Sequence, residues 1–212
     1  MAVAEWLWLC YVSVCGCGCS WLFTNAYSAV PCARFDYQVY FQEDRAVEEL
    51  NADVSRTINA FIRTNKAVDR IPGAQRALST RNVRKRGGVL VGLPDAIPRS
   101  SLLPSPVYEE YVAAFSKKGF RGPLNWYRNY GANWEWDGEV ADKKLMMPAL
   151  MVTGGGDTVL TPRMSEGMEE LVPNLTRAHH DTCSHWTQFE EPEWLSGVLV
   201  EWLAKVAPLA KL

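Results

Sequence analysis

Histidine is scarce: the 212-residue chain has three, and none occurs before residue 179. No step that needs an imidazole can therefore come from the first four-fifths of the sequence. Cysteine is missing from the body of the chain, since Cys10, Cys15, Cys17, Cys19 and Cys32 crowd the first 32 residues and only Cys183 lies beyond. A secreted disulfide framework would spread through the fold, so none is expected. The C-x-C-x-C spacing at 15–19 has no second ligand pair downstream, and His179 and His180 are remote from it, so no metal is expected. An excess of one charge is absent too. The 22 basic and 24 acidic side chains leave a net charge of −2, which favours neither nucleic acid nor an acidic membrane surface as partner. The basic run RNVRKRGG at 81–88 reads as a solvated loop. With 48% hydrophobic and 22% charged residues, the chain is globular, and its length suits one ordinary domain.

One uncharged run is long. WLWLCYVSVCGCGCSWLF, residues 6–23, carries no charge over 18 residues, close to what a bilayer span needs. Two glycines, four cysteines and two serines interrupt it, and Glu5 stands where an export signal would carry a basic residue. It reads as an apolar leader foreign to the domain behind it, with a weak anchor or export signal as the alternative. The sequon NLT at Asn174 matters only for an exported chain. At the other end Ala210-Lys211-Leu212 is close to the S-K-L type of peroxisomal address. An import receptor is thus an expected partner. Cytoplasm and peroxisome are the expected compartments, and membrane association through 6–23 is the alternative.

After residue 35 neither an internal repeat nor a low-complexity tract appears. Val47, Leu50, Val54, Ile58 and Phe61 recur at helical spacing and predict a helix over 44–63. VYEEYVAAFSKKG at 107–119 predicts a second amphipathic helix, closed by lysines and a glycine. Pro123 opens a third that carries Trp126 and Tyr127, and 64–106 reads as connecting loop. The period then changes. LMMPALMVT, 145–153, suits a buried parallel strand, and Gly154-Gly155-Gly156-Asp157 ends it. A helix over 161–173, a short strand over 175–180 and a final helix from Pro192 follow. The final helix should bury Trp194, Leu195, Val198, Leu199, Trp202 and Leu203 on one face. The order strand, acid loop, helix, strand, histidine loop, helix is the back end of a parallel α/β sheet. Three segments are expected: an unaligned leader over 1–34, a helical lid over 35–140 and a core portion over 141–212.

In open α/β sheets functional groups gather beyond the carboxyl ends of strands. Asp157 and His185 both lie there. An acid that accepts one imidazole N–H orients the ring and makes its other nitrogen a usable base. Taken singly, Asp157 reads equally as a turn residue and His185 as a satisfied core histidine.

FDYQVYFQE (35–43), GFRGPLNWYRN (119–129), PALMVT with the following Asp157, and CSHWTQ (183–188) resemble the hydrolase domain of the soluble epoxide hydrolases. The resemblance covers about residues 35 to 206 in order. It implies a partial α/β-hydrolase fold, a helical lid with the last strands and helices of the sheet, and the early strands missing. It also implies a two-step reaction without cofactor. A carboxylate opens the epoxide to an ester while two lid tyrosines bond its oxygen, and a His–Asp pair then activates water to release a vicinal diol. Carried over by motif, the tyrosines are Tyr37 and Tyr127, the base His185 and its orienting acid Asp157. Phe35, Gln38, Trp126, Val159 and Trp186 are candidate pocket residues, with the aromatics alternatively core. The related haloalkane dehalogenases share the scaffold, but paired tyrosines favour an epoxide.

The family also implies a nucleophile on a G-x-[nucleophile]-x-G turn before the lid and an early His-Gly-x-Pro turn. Residues 1–36 hold neither: the acids there are Glu5 and Asp36, without flanking glycines at the required spacing. Little or no turnover by this chain alone is expected, as for a truncated or alternatively spliced form or an incomplete gene model. A strand such as 148–153 without its neighbours invites association through the sheet edge. A non-catalytic binding or regulatory fragment is therefore the alternative.

Overall fold

The structure, a computed structural model, describes residues 35–74, 78–138 and 143–206. The leader over 1–34, with its possible span at 6–23, and the terminal Ala210, Lys211 and Leu212 lie outside the described residues. Two compact units emerge, one within 35–138 and one within 143–206.

The first unit is helical: α1 (Asp36–Tyr40), α2 (Asp44–Ala52), α3 (Val54–Phe61), α4 (Val83–Arg86), α5 (Ser105–Lys118), α6 (Arg121–Arg128) and α7 (Tyr130–Gly138). The single helix predicted over 44–63 is two. Asp53 leaves helical geometry at φ −147°, and its carboxylate accepts the Arg56 N–H to cap α3. The apolar stripe still works, since Val47, Leu50 and Ile58 are buried with Tyr40, Phe41 and Leu90. Burying each such side chain contributes roughly 1.5–3 kcal/mol. The helix expected from Pro123 opens at Arg121 and takes the proline into its first turn. Helix α5 ends where Gly119 turns to φ 67°, a conformation that a Cβ would strain. That turn lets the Phe120 N–H reach Asn51 Oδ1 at 2.9 Å, joining α5 and α6 to α2.

The segment read as a plain connecting loop over 64–106 holds the short helix α4 and a 3₁₀ turn over Ala67–Asp69, and charged side chains tether it. Asp69 accepts from Thr64 N–H and hydroxyl and from Ser101 N–H and hydroxyl at 2.8–3.1 Å, with Ser100 Oγ at 3.3 Å. Glu49 accepts from Tyr40 Oη and from the N–H groups of Val89 and Leu90 at 2.8–2.9 Å. Arg56 donates to the carbonyls of Leu90, Leu93 and Pro94. Hydrogen bonds to ionised groups contribute about 1.5–3 kcal/mol each, so a stretch without hydrophobic period is fixed by polar anchors.

The second unit holds β1 (Ala149–Gly154), β2 (Leu175–His180), α8 (Thr187–Glu190) and α9 (Pro192–Val206). The strands pair in parallel, Ala149 against Leu175 through Gly154 against His180. β1 starts later than predicted. Met146 and Met147 are 62% and 61% exposed, and the Leu145 N–H bonds the Leu171 carbonyl instead of the ladder. The helix predicted over 161–173 is two 3₁₀ turns, Pro162–Ser165 and Met168–Glu170, separated by Gly167 at φ 81°. The face expected to be buried on the last helix is only partly so: Trp194, Leu195, Val198 and Trp202 are half-buried, Leu199 and Leu203 are 40% and 49% exposed, and no residue of α9 is fully buried. The sheet of this unit is two strands wide among the described residues, a narrow surface for an apolar helix. For the same reason β1 buries only Leu150 and Gly154 fully.

Candidate active site

The three glycines after β1 explain how the acid and histidine loops meet. A Cβ on Gly154 would stand 2.6 Å from the Cys183 carbonyl oxygen, and one on Gly155 2.2 Å from that of Asp181. With no side chains in the way, Gly155 N–H bonds the His180 carbonyl at 2.9 Å and Gly156 N–H that of Cys183 at 2.8 Å. The two loops beyond the carboxyl ends of β1 and β2 are thereby laced together through their backbones.

Asp157 and His185 sit on those loops. Asp157 Oδ1 accepts the N–H groups of Val159 and Leu160, both at 2.8 Å, and Oδ2 lies 2.9 Å from His185 Nδ1. Burial alone would raise the Asp157 carboxyl. The hydrogen bond and charge of His185, with the Leu160 and Val159 donors, outweigh it and hold the group below its ordinary value. The His185 side chain is 43% exposed, and Trp186 stands edge-on to its ring at 5.6 Å. An ionised acid on Nδ1 leaves Nε2 free to take a proton. Of the candidate pocket residues here, Val159 helps fix the Asp157 carboxylate and Trp186 flanks the imidazole.

The tyrosines meet in the helical unit. The Tyr37 ring on α1 and the Tyr127 ring on α6 lie 5.9 Å apart, edge to face, and Phe41 contacts both at 5.5 and 5.0 Å. Arg128, next along α6, donates to the Gln42 carbonyl at 3.1 Å and ties that helix to the end of α1. Burial pushes the Tyr127 phenol well above the ordinary tyrosine range, with Tyr37 adding to the shift. The group is thus a persistent proton donor. Gln38 Nε2 donates to Tyr37 Oη at 3.3 Å, Phe35 is half-buried ahead of α1, and Trp126 is 38% exposed on α6. Asp36 is committed elsewhere, accepting the Arg84 N–H at 2.8 Å and Nε at 2.7 Å.

Sequence reasoning missed Phe41, the aromatic bridge between the tyrosines, and Glu190, which accepts the Ser184 N–H at 3.1 Å and the Ser184 hydroxyl. The acid five residues after the histidine was the available signal. It also missed His180, Cys183 and Glu191, whose donor atoms lie within 4.8 Å of one another. Ligand atoms around tetrahedral zinc stand about 3.3–3.8 Å apart, and His180 Nδ1 already accepts the Cys183 N–H at 3.2 Å. That His180–Cys183 bond braces the turn that precedes His185.

Parallel strands with an acid loop and a histidine loop beyond their carboxyl ends, in a chain that also carries a helical unit, define a partial α/β-hydrolase fold. No protein-family model matches the chain. Bifunctional epoxide hydrolase 2 of Sus scrofa is 44% identical over 170 residues, 80% of this chain and 29% of that protein. Epoxide hydrolase A of Mycobacterium tuberculosis is 32% identical over 171 residues, 80% of this chain and 52% of that protein. Among solved structures, epoxide hydrolase A from Mycobacterium thermoresistibile matches at TM-score 0.64 and 30% identity, covering 79% of this chain and 51% of that one. A Vigna radiata epoxide hydrolase variant matches at 0.63 and 25%, covering 85% and 55%. The homologues of this chain are epoxide hydrolases, and it corresponds to part of their α/β-hydrolase domain. It spans 29% of the length of the pig relative and 52% of that of the mycobacterial one. No described helix is long and apolar enough to cross a membrane.

Proposed function

We propose that this chain carries two of the three working parts of an epoxide hydrolase: the phenol pair that polarises the epoxide oxygen and the His–Asp pair that activates water. The observation that carries the reading is the Asp157–His185 bond at 2.9 Å, with the second carboxylate oxygen pinned by two backbone donors. Tyr37 and Tyr127 supply the donors, and the raised Tyr127 phenol keeps its proton as charge develops on the ring oxygen. The substrate class is a small lipid-like or xenobiotic epoxide, and the product is a vicinal diol.

The third part is a carboxylate nucleophile, and the sequence offers no nucleophile turn ahead of Tyr37. Covalent catalysis divides a hard displacement into two easier steps. Without an attacking group the second-step residues have no ester to hydrolyse, so epoxide turnover by this chain depends on a carboxylate that its sequence motifs do not identify. A second reading is favoured by the exposed Leu199, Val200 and Leu203 on α9 and by a sheet that is two strands wide among the described residues. In it, the core unit docks on a full-length subunit of the same family and serves as a regulatory fragment. Cytoplasm or peroxisome is the proposed compartment, with the terminal Ala210-Lys211-Leu212 as the address.

Equilibrium binding of an aromatic epoxide, followed by tryptophan fluorescence, tests the first part. Saturable binding weakened by Tyr37→Phe and Tyr127→Phe supports it. Binding unaffected by the double variant overturns the tyrosine assignment.

A further inference from the structure

We infer that Glu190 is the positioning residue that fixes His185 against Asp157, acting through Ser184. The inference rests on the reading of His185 and Asp157 as the water-activating pair. The backbone ahead of His185 is fully engaged. Cys183 N–H bonds His180 Nδ1 at 3.2 Å, and the Cys183 carbonyl accepts Gly156 N–H at 2.8 Å. The Ser184 carbonyl accepts from Thr187 Oγ1 at 3.3 Å. Ser184 N–H lies 3.1 and 3.2 Å from the two oxygens of Glu190, and the Ser184 hydroxyl donates to the same carboxylate.

Glu190 is the one carboxylate among these anchors, and it takes both donors of the residue directly before His185. Ser184 is 3% exposed, so its bonds to a charged acceptor form where water competes poorly. The Glu190 N–H in turn bonds the Trp186 carbonyl at 2.9 Å, which closes residues 184–190 into a tight loop. The imidazole projects from that loop with 43% of its side chain exposed. Packing therefore restrains the ring little, and its aim at Asp157 follows from where the Ser184–His185 peptide is held. Glu190 touches neither substrate nor the imidazole in this scheme; it sets the angle at which the base stands.

The test is proton NMR on the whole chain, following the His185 Nδ1–H signal in the bond to Asp157 and hydrogen exchange at the Ser184 amide. Glu190→Ala should speed Ser184 exchange by at least about tenfold, the change that loss of a hydrogen bond to a charged group brings. It should also abolish or broaden the Nδ1–H signal. Glu190→Gln, which keeps one oxygen for both Ser184 donors, should restore it. A merely structural role would lower the melting temperature and leave that signal sharp in the folded protein. A sharp, slowly exchanging Nδ1–H in Glu190→Ala overturns the inference. Should that variant fail to fold, Ser184→Ala, which removes one donor, decides: a faster-exchanging Nδ1–H supports the inference and an unchanged one sinks it. No epoxide enters these measurements, so their outcome is independent of whether the hydrolase reading stands.

Discussion

Asp157→Asn separates the two jobs of the carboxylate. The Val159 and Leu160 N–H groups converge on one oxygen at 2.8 Å, so an asparagine places its carbonyl there and its amide where Oδ2 faced His185. Two donors then point at each other across the 2.9 Å gap now bridged by the Nδ1 proton. The ring relieves the clash by moving its proton to Nε2, which removes the lone pair a base needs. With the proton on Nε2, Nδ1 accepts from the asparagine amide, so all three bonds survive without their charge, a loss of about 1.5–3 kcal/mol in total. With a urea slope of about 2 kcal/mol per molar, the unfolding midpoint falls by about 0.8–1.5 M. Long-range nitrogen–proton correlation on ¹⁵N-histidine reads the tautomer directly, with Nδ1–H in the parent and Nε2–H in the variant. An Asp157→Asn protein that keeps the Nδ1–H form, or loses no stability, refutes this account of the bond.

Three further outcomes follow from the same structure. Asp69→Ala leaves the donors of Thr64, Ser100 and Ser101 without their acceptor and should destabilise the chain by about 3–4 kcal/mol. Equilibrium urea unfolding measures it, and a loss under about 1 kcal/mol contradicts the anchoring role. Gly88→Ala puts a Cβ 2.1 Å from Glu49 Oε1, which holds the Leu90 N–H; the melting temperature should fall, and Glu49→Ala in the same chain should reduce the penalty. The Asp69 and Asp157 carboxyls are both held below their ordinary value although burial opposes it. Their stabilisation is therefore complete above the unfolded value near pH 4 and is lost as pH falls through the lower folded values. Stability should be flat from about pH 5 to 7 with respect to these groups and drop below about pH 4, and Asp69→Asn should make the acid drop shallower.

Alternation and spacing carried the elements whose burial is one-sided. Val47, Leu50 and Ile58 reported their helices, and the apolar run before Gly154 reported β1, because hydrophobic period survives in sequence. The break at Asp53 was hidden because the stripe continues across it, while the cap that ends one helix and starts the next is a single side chain. The tethered loop over 64–106 was invisible for the opposite reason: its order comes from Asp69, Glu49 and Arg56 gripping backbone groups far along the chain. At the site, Asp157 and His185 were legible from their places after strands. Glu190 was not, since its role depends on a turn that brings it back to Ser184. On α9 the period located a face that is half-buried at Trp194, Leu195, Val198 and Trp202, but it says nothing about how wide a sheet is there to receive Leu199 and Leu203, which stay exposed.

The central proposal is that Asp157 and His185 activate water and that Tyr37 and Tyr127 polarise an epoxide, with no nucleophile turn recognised in this sequence. Intact mass spectrometry of the His185→Gln variant after incubation with an aromatic epoxide tests it most directly, because a blocked second step would trap any ester formed. The account predicts an unmodified mass and no diol from either variant or parent. An adduct of epoxide mass on a carboxylate would contradict it and identify the attacking residue.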